Sequence, residues 1–76
     1  MNQFPRISHD LDIMGGKACI KGTRVTVSTI LSLLSEGKTS TSLLEEYPYL
    51  TQDDISEALR YSSWLANSRE MEVVTA

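Results

Sequence analysis

Thr51-Gln52-Asp53-Asp54-Ile55-Ser56-Glu57-Ala58-Leu59-Arg60-Tyr61-Ser62-Ser63-Trp64-Leu65 carries the strongest local pattern in the chain. Thr51 followed three residues later by Asp54 resembles a capping box, with Asp in place of the usual Glu or Gln. Asp53 and Asp54 fall in the first turn, where the helix dipole favours negative charge. Ile55, Ala58, Leu59, Ser62 and Leu65 then follow the helical period, and Tyr61 and Trp64 widen that face. The run predicts a helix from about Gln52 to about Arg69, leaving Glu70–Ala76 as a tail without a cap or a clear pattern.

Working back from this helix, Tyr47-Pro48-Tyr49-Leu50 reads as a tight connector, because the Pro48 ring cannot continue a helical hydrogen-bond ladder. A short helix precedes it, capped by Thr39, Ser40 or Thr41 and apolar along Leu43, Leu44 and Tyr47. Gly37 sits where a glycine ends a helix in the left-handed conformation. The helix it ends carries Ile30, Leu31, Leu33 and Leu34, with Thr26 or Ser28 as its cap. The first 25 residues read as extended chain with turns at Met14-Gly15-Gly16-Lys17 and Lys21-Gly22-Thr23. Ala18-Cys19-Ile20 and the β-branched Arg24-Val25-Thr26-Val27 are short strand-like runs. So small a sheet is unstable alone and must pack on the helices or pair across a dimer. The expected fold is mainly α: a three-helix helix-turn-helix core preceded by a short β-hairpin or strand segment. Residues 1–69 form one domain and residues 70–76 a C-terminal tail.

A chain of 76 residues is near the lower limit for a self-sufficient core. Cys19 is the single cysteine, so no intrachain disulfide staples the domain, and no Cys/His cluster has metal-site spacing. The support left by elimination is oligomerisation. No apolar run reaches the roughly 18 residues of a membrane span. The opening MNQFPRISHD lacks the apolar core of a signal peptide, and a free thiol suits a reducing cytoplasm, so a cytoplasmic protein is expected. The net charge of −3 is uneven: residues 1–38 sum to +2 and residues 39–76 to −5. If nucleic acid is bound, the N-terminal half should meet the phosphates, and the C-terminal half should repel them or meet a basic protein.

Gly16-Lys17-Ala18-Cys19-Ile20-Lys21-Gly22-Thr23-Arg24-Val25-Thr26-Val27 resembles the signature of the DUF433 family, which reads approximately G-K/R-P-C-I-x-G-T-R-I/V-x-V. The likeness continues in order through Leu34-Ser35-Glu36-Gly37, then Leu43 to Thr51, then Asp54 to Tyr61, with Ala18 standing where proline is usual. It implies a small bacterial or archaeal protein with a helix-turn-helix core and a β-rich N-terminal segment, often a homodimer. It further implies the antitoxin half of a toxin–antitoxin pair, with a PIN-like ribonuclease as partner and possible autoregulation of the operon. It carries no catalytic residues and no cofactor.

The candidate nucleic-acid contacts are Lys17, Lys21, Thr23 and Arg24, with Arg6 and Lys38 as possible members of the same basic face. Arg24 has two readings that the sequence leaves open: a phosphate or base contact assisted by Thr23, or a carboxylate or carbonyl bond at a dimer interface. Tyr61, Trp64 and Leu65 are the candidate partner or dimer interface, since aromatics are enriched both in cores and in interfaces. The start of the third helix conflicts with ordinary major-groove reading: Asp53, Asp54 and Glu57 would face phosphates, with only Gln52 and Ser56 to read bases. Either the basic N-terminal segment contacts DNA, or the core serves protein contacts alone.

Enzymatic chemistry finds no foothold. Gly15-Gly16-Lys17 fails the phosphate-loop pattern, with Leu11 and Ala18 where Gly and Ser/Thr are required. Cys19 lies between apolar neighbours, as an inert buried thiol would. His9-Asp10 lacks a nucleophile and reads as a turn. No metal, small-molecule substrate or membrane partner is expected.

Overall fold

The computed structural model describes the backbone of residues 3–75 and the side chains of residues 3–68. Strands β1 (Ile7–Ser8) and β2 (Cys19–Ile20) pair antiparallel, Ile7 with Ile20 and Ser8 with Cys19. Helices α1 (Val27–Ser35), α2 (Ser40–Glu46) and α3 (Gln52–Thr75) follow, each packed against the other two. The fold is mainly α, a three-helix helix-turn-helix core preceded by a two-stranded hairpin. The strand-like run before α1 contributes only an isolated bridge, Cys19 to Thr26, before the chain turns helical at Val27.

Local signals set the corners. Thr26 caps α1, its hydroxyl accepting the Thr29 amide at 3.0 Å, and Thr39 caps α2, accepting the Ser42 amide at 3.1 Å. At the end of α1, Gly37 adopts φ 96°. The Gly37 amide donates to the Leu34 carbonyl and the Lys38 amide to that of Leu33, each at 3.1 Å. These two bonds define a Schellman motif. The capping box of α3 closes in both directions: the Thr51 amide donates to Asp54 Oδ2 at 2.9 Å and the Asp54 amide to Thr51 Oγ1 at 3.2 Å.

Ile30, Ile55, Ala58, Leu43 and Ile20 are buried where the three helices meet the hairpin. Along α3 the buried stripe is rotated from the one that apolar periodicity predicts. Leu59 is 43% exposed, whereas Asp54 and Glu57 are buried at 8% and 5%. The cause is the N-terminal arm. The Arg6 amide donates to Glu57 Oε2, and its guanidinium bonds Asp54 Oδ1 at 3.1 Å and pairs with Asp53 Oδ2 at 3.6 Å. Arg60 completes the environment of Glu57 from the next turn, at 3.5 Å. Paired carboxylates tolerate a burial that isolated ones do not. Among the described residues, no buried side-chain nitrogen or oxygen lacks a hydrogen-bond partner.

The second difference is length. The helix continues through Glu70 to Thr75, a run of 24 residues about 36 Å long. The side chains of residues 69–76, which include the expected tail, lie outside the described residues. From Ser63 to Asn67 every side chain is exposed, so this part of α3 has left the core.

Replacing Glu57 with Ala strands the Arg6 amide and removes the partner of Arg60. The Glu57→Ala variant should lose about 2 kcal/mol of unfolding free energy, read as a lower urea midpoint at unchanged slope. A wild-type midpoint would refute the role given to this carboxylate.

Candidate functional site

The residues singled out in the sequence fall on two surfaces. The first is the turn between β2 and α1. The Ile20 amide donates to the Val25 carbonyl at 2.9 Å and the Lys21 amide to the Arg6 carbonyl at 2.7 Å, so the backbone on both sides of the turn is held. Within it, Gly22 adopts φ 82°, a left-handed conformation suited to glycine. The Thr23 hydroxyl donates to the Ile20 carbonyl at 2.8 Å and accepts the Val25 amide at 3.0 Å. Thr23 therefore shapes the turn, with its hydroxyl already engaged as donor and as acceptor. Lys21 and Arg24 are exposed on either side of it. Among the described residues, neither cation has an ion-pair partner. An open depression of about 550 Å³ is lined by Lys21, Gly22, Thr23, Arg24 and Tyr49.

Tyr49 is the residue that sequence reasoning missed. It lies in the α2–α3 connector, 61% exposed, with its ring edge-on to Tyr47 at 6.2 Å between centroids. The available signal was the pair of aromatics flanking Pro48, which the connector reading treated only as a stop.

The second surface lies between the start of α1 and the middle of α3. A groove of about 500 Å³ is lined by Lys17, Ala18, Val27, Leu31, Leu65 and Ala66, with Tyr61 and Ser62 along its side. Trp64 and Leu65 are 47% and 38% exposed. Tyr61 is more enclosed: its ring meets Phe4 edge-on at 5.3 Å, and its hydroxyl is 3.0 Å from His9 Nε2. Phe4 also covers part of Trp64, at 5.8 Å.

The expected basic face is thus divided. Lys21, Thr23 and Arg24 share one depression, Lys17 lines the other, Lys38 lines neither, and Arg6 is paired with Asp53 and Asp54. The conflict at the start of α3 changes character as well. Asp54 and Glu57 are turned inward, while Gln52 and Ser56, the two candidate base readers, bond each other at 3.4 Å on the exposed face. Among the described residues, no group of three or more His, Cys, Asp or Glu is placed to hold a metal, and no helix is long and apolar enough to cross a membrane.

Together these features define a small helix-turn-helix domain with a basic turn and an apolar helical groove. Residues 7–62 match the family described as "Protein of unknown function (DUF433)", and the chain belongs to that family. It is also similar to the crystal structure of a DUF433 member from Anabaena variabilis ATCC 29413, with a TM-score of 0.78 and 30% identity, over 95% of this chain and 70% of that one. No curated protein matches.

Proposed function

We propose that this chain is an antitoxin-like homodimeric DNA-binding protein of the cytoplasm, not an enzyme, that neutralises a PIN-like ribonuclease toxin and autoregulates its operon. The observation that carries the DNA-binding part is the pairing pattern of the cations. Arg6 and Arg60 are engaged with carboxylates, whereas Lys21 and Arg24 are exposed on a tightly held turn and, among the described residues, unpaired. Such a turn contacts phosphates, and the buried acids of α3 are withdrawn from the encounter. A second copy of the chain is the occupant assigned to the groove beside Leu65, because a domain this small gains core from a partner subunit. The toxin assignment is what the sequence resemblance implies, and the exposed Glu45 and Glu46 of α2, which suit a basic RNA-binding groove, support it. The net charge of −3 favours a second reading, a protein-interaction module that does not bind DNA.

Duplex affinity should fall steeply with salt, and Arg24→Ala in a dimer should reduce the log–log slope by about two. Unchanged affinity in that variant would remove Arg24 from the account, and flow-through of the wild type on heparin at low salt selects the second reading. Leu65→Glu should convert a dimer to a monomer in sedimentation equilibrium, and a wild-type monomer at tens of micromolar would refute the dimer. Tagged protein captured from its native cells should bring down a small nuclease-like protein at near-equal stoichiometry. Recovery of this chain alone would remove the toxin from the account.

A further inference from the structure

Lys21, Arg24 and Tyr49 line one depression, although Tyr49 belongs to a different corner of the fold. A duplex contact can use the cations and the Tyr49 hydroxyl on phosphates but leaves the face of the ring idle. An unstacked base uses that face, since every base can stack on an aromatic ring while a neighbouring cation holds its phosphate.

The ring is also prepared for that use. The Leu50 amide donates to the Tyr47 carbonyl at 2.9 Å, which closes the connector around Pro48. Tyr47, half-buried, supports Tyr49 edge-on at 6.2 Å. A restrained ring loses less freedom on binding than one on a mobile loop. Across the depression, Gly22 presents no side chain, and a Cβ built there would meet nothing within 4 Å, so the floor is open to a flat group. Among the described residues, the amides of Gly22 and Arg24 have no hydrogen-bond acceptor, which leaves two more donors on the same turn. The volume of about 550 Å³ accommodates a nucleotide.

We infer that the Lys21–Arg24 turn and Tyr49 form a subsite for one unpaired nucleotide, so that the preferred nucleic acid is a single-stranded segment. The phosphate sits against Lys21 and Arg24 and the base lies on the Tyr49 ring. This rests on the nucleic-acid reading above and narrows it.

The test is fluorescence anisotropy with one labelled 12-nucleotide mixed-sequence DNA, presented single-stranded and as its duplex, at low salt. The wild type should bind the single strand more tightly than the duplex. Tyr49→Ala should weaken the single strand about 5- to 150-fold, the range for loss of one base–aromatic stack, and leave the duplex within about twofold. Tyr49→Phe should retain single-strand affinity, which separates the ring from its hydroxyl, and circular dichroism melting of both variants checks that the fold is intact. Duplex binding without single-strand binding, or equal losses on both forms in Tyr49→Ala, would overturn the subsite and leave DNA binding standing. Failure of the wild type to bind either form would overturn both.

Discussion

Two carboxylates cannot enter a core of this size without partners, and Arg6 supplies one to each, its guanidinium to Asp54 and its backbone amide to Glu57, whose counter-charge is Arg60. Its amide and guanidinium reach Glu57 and Asp54 on the first turns of α3, while its carbonyl accepts the Lys21 amide. One residue thereby joins the hairpin, the turn after β2 and the longest helix. The rotation of α3 about its own axis follows. With Asp54 and Glu57 turned inward beside Ile55 and Ala58, Leu59 is carried to the surface and Tyr61 is brought to Phe4 and His9. A lone ion pair at the surface would add little. The contribution here comes from the enclosure of the acids and the number of bonds that converge on them.

The same pairing alters what net charge says about the surface. A chain at −3 reads as poorly suited to nucleic acid. Yet three of its acids face Arg6 and Arg60, and among the described residues no acid is bonded to Lys21 or Arg24. The local field around the β2–α1 turn is thus set by the turn, and total charge is a poor guide to it. Elsewhere on the surface, α3 runs past the core with Trp64 and Leu65 exposed, beside the groove lined by Lys17 and Leu31, and Lys21 and Tyr61 share a third depression between the two surfaces. A polar turn and an apolar helical face on one small domain present two different chemistries to partners.

Features set by neighbours within four or five residues were legible from sequence. The Thr51–Asp54 box, the Gly37 stop and the Pro48 break each depend on local hydrogen bonding or ring geometry, and each appears where expected. Thr26 and Thr39 were among several possible caps, and structure selected them because their hydroxyls alone meet the third amide onward. The face of α3 was not legible, since it is decided by Arg6, 48 and 51 residues distant from its two buried acids. Periodicity weighs apolar residues and has no means of marking a carboxylate as interior. Of the candidate contacts, Lys21, Thr23 and Arg24 came together because they share one turn. Lys17 and Arg6 did not join them, since sequence clustering says nothing of facing. Tyr49 was hidden because it joins that turn only through the packing of the helices.

The contact between Arg6 and Glu57 also has a place in time. It closes a loop of 51 positions, which carries an entropic cost of about 3.5 kcal/mol before any reward is collected. The contact between α1 and α2, joined by a short corner, needs no such closure. The Phe4 ring is not covered on that side until Tyr61 and Trp64 of α3 are in place. The arm thus docks on α3 only after the local corners have closed. Until α3 is in place, the Phe4 ring is open to any other surface that will take it.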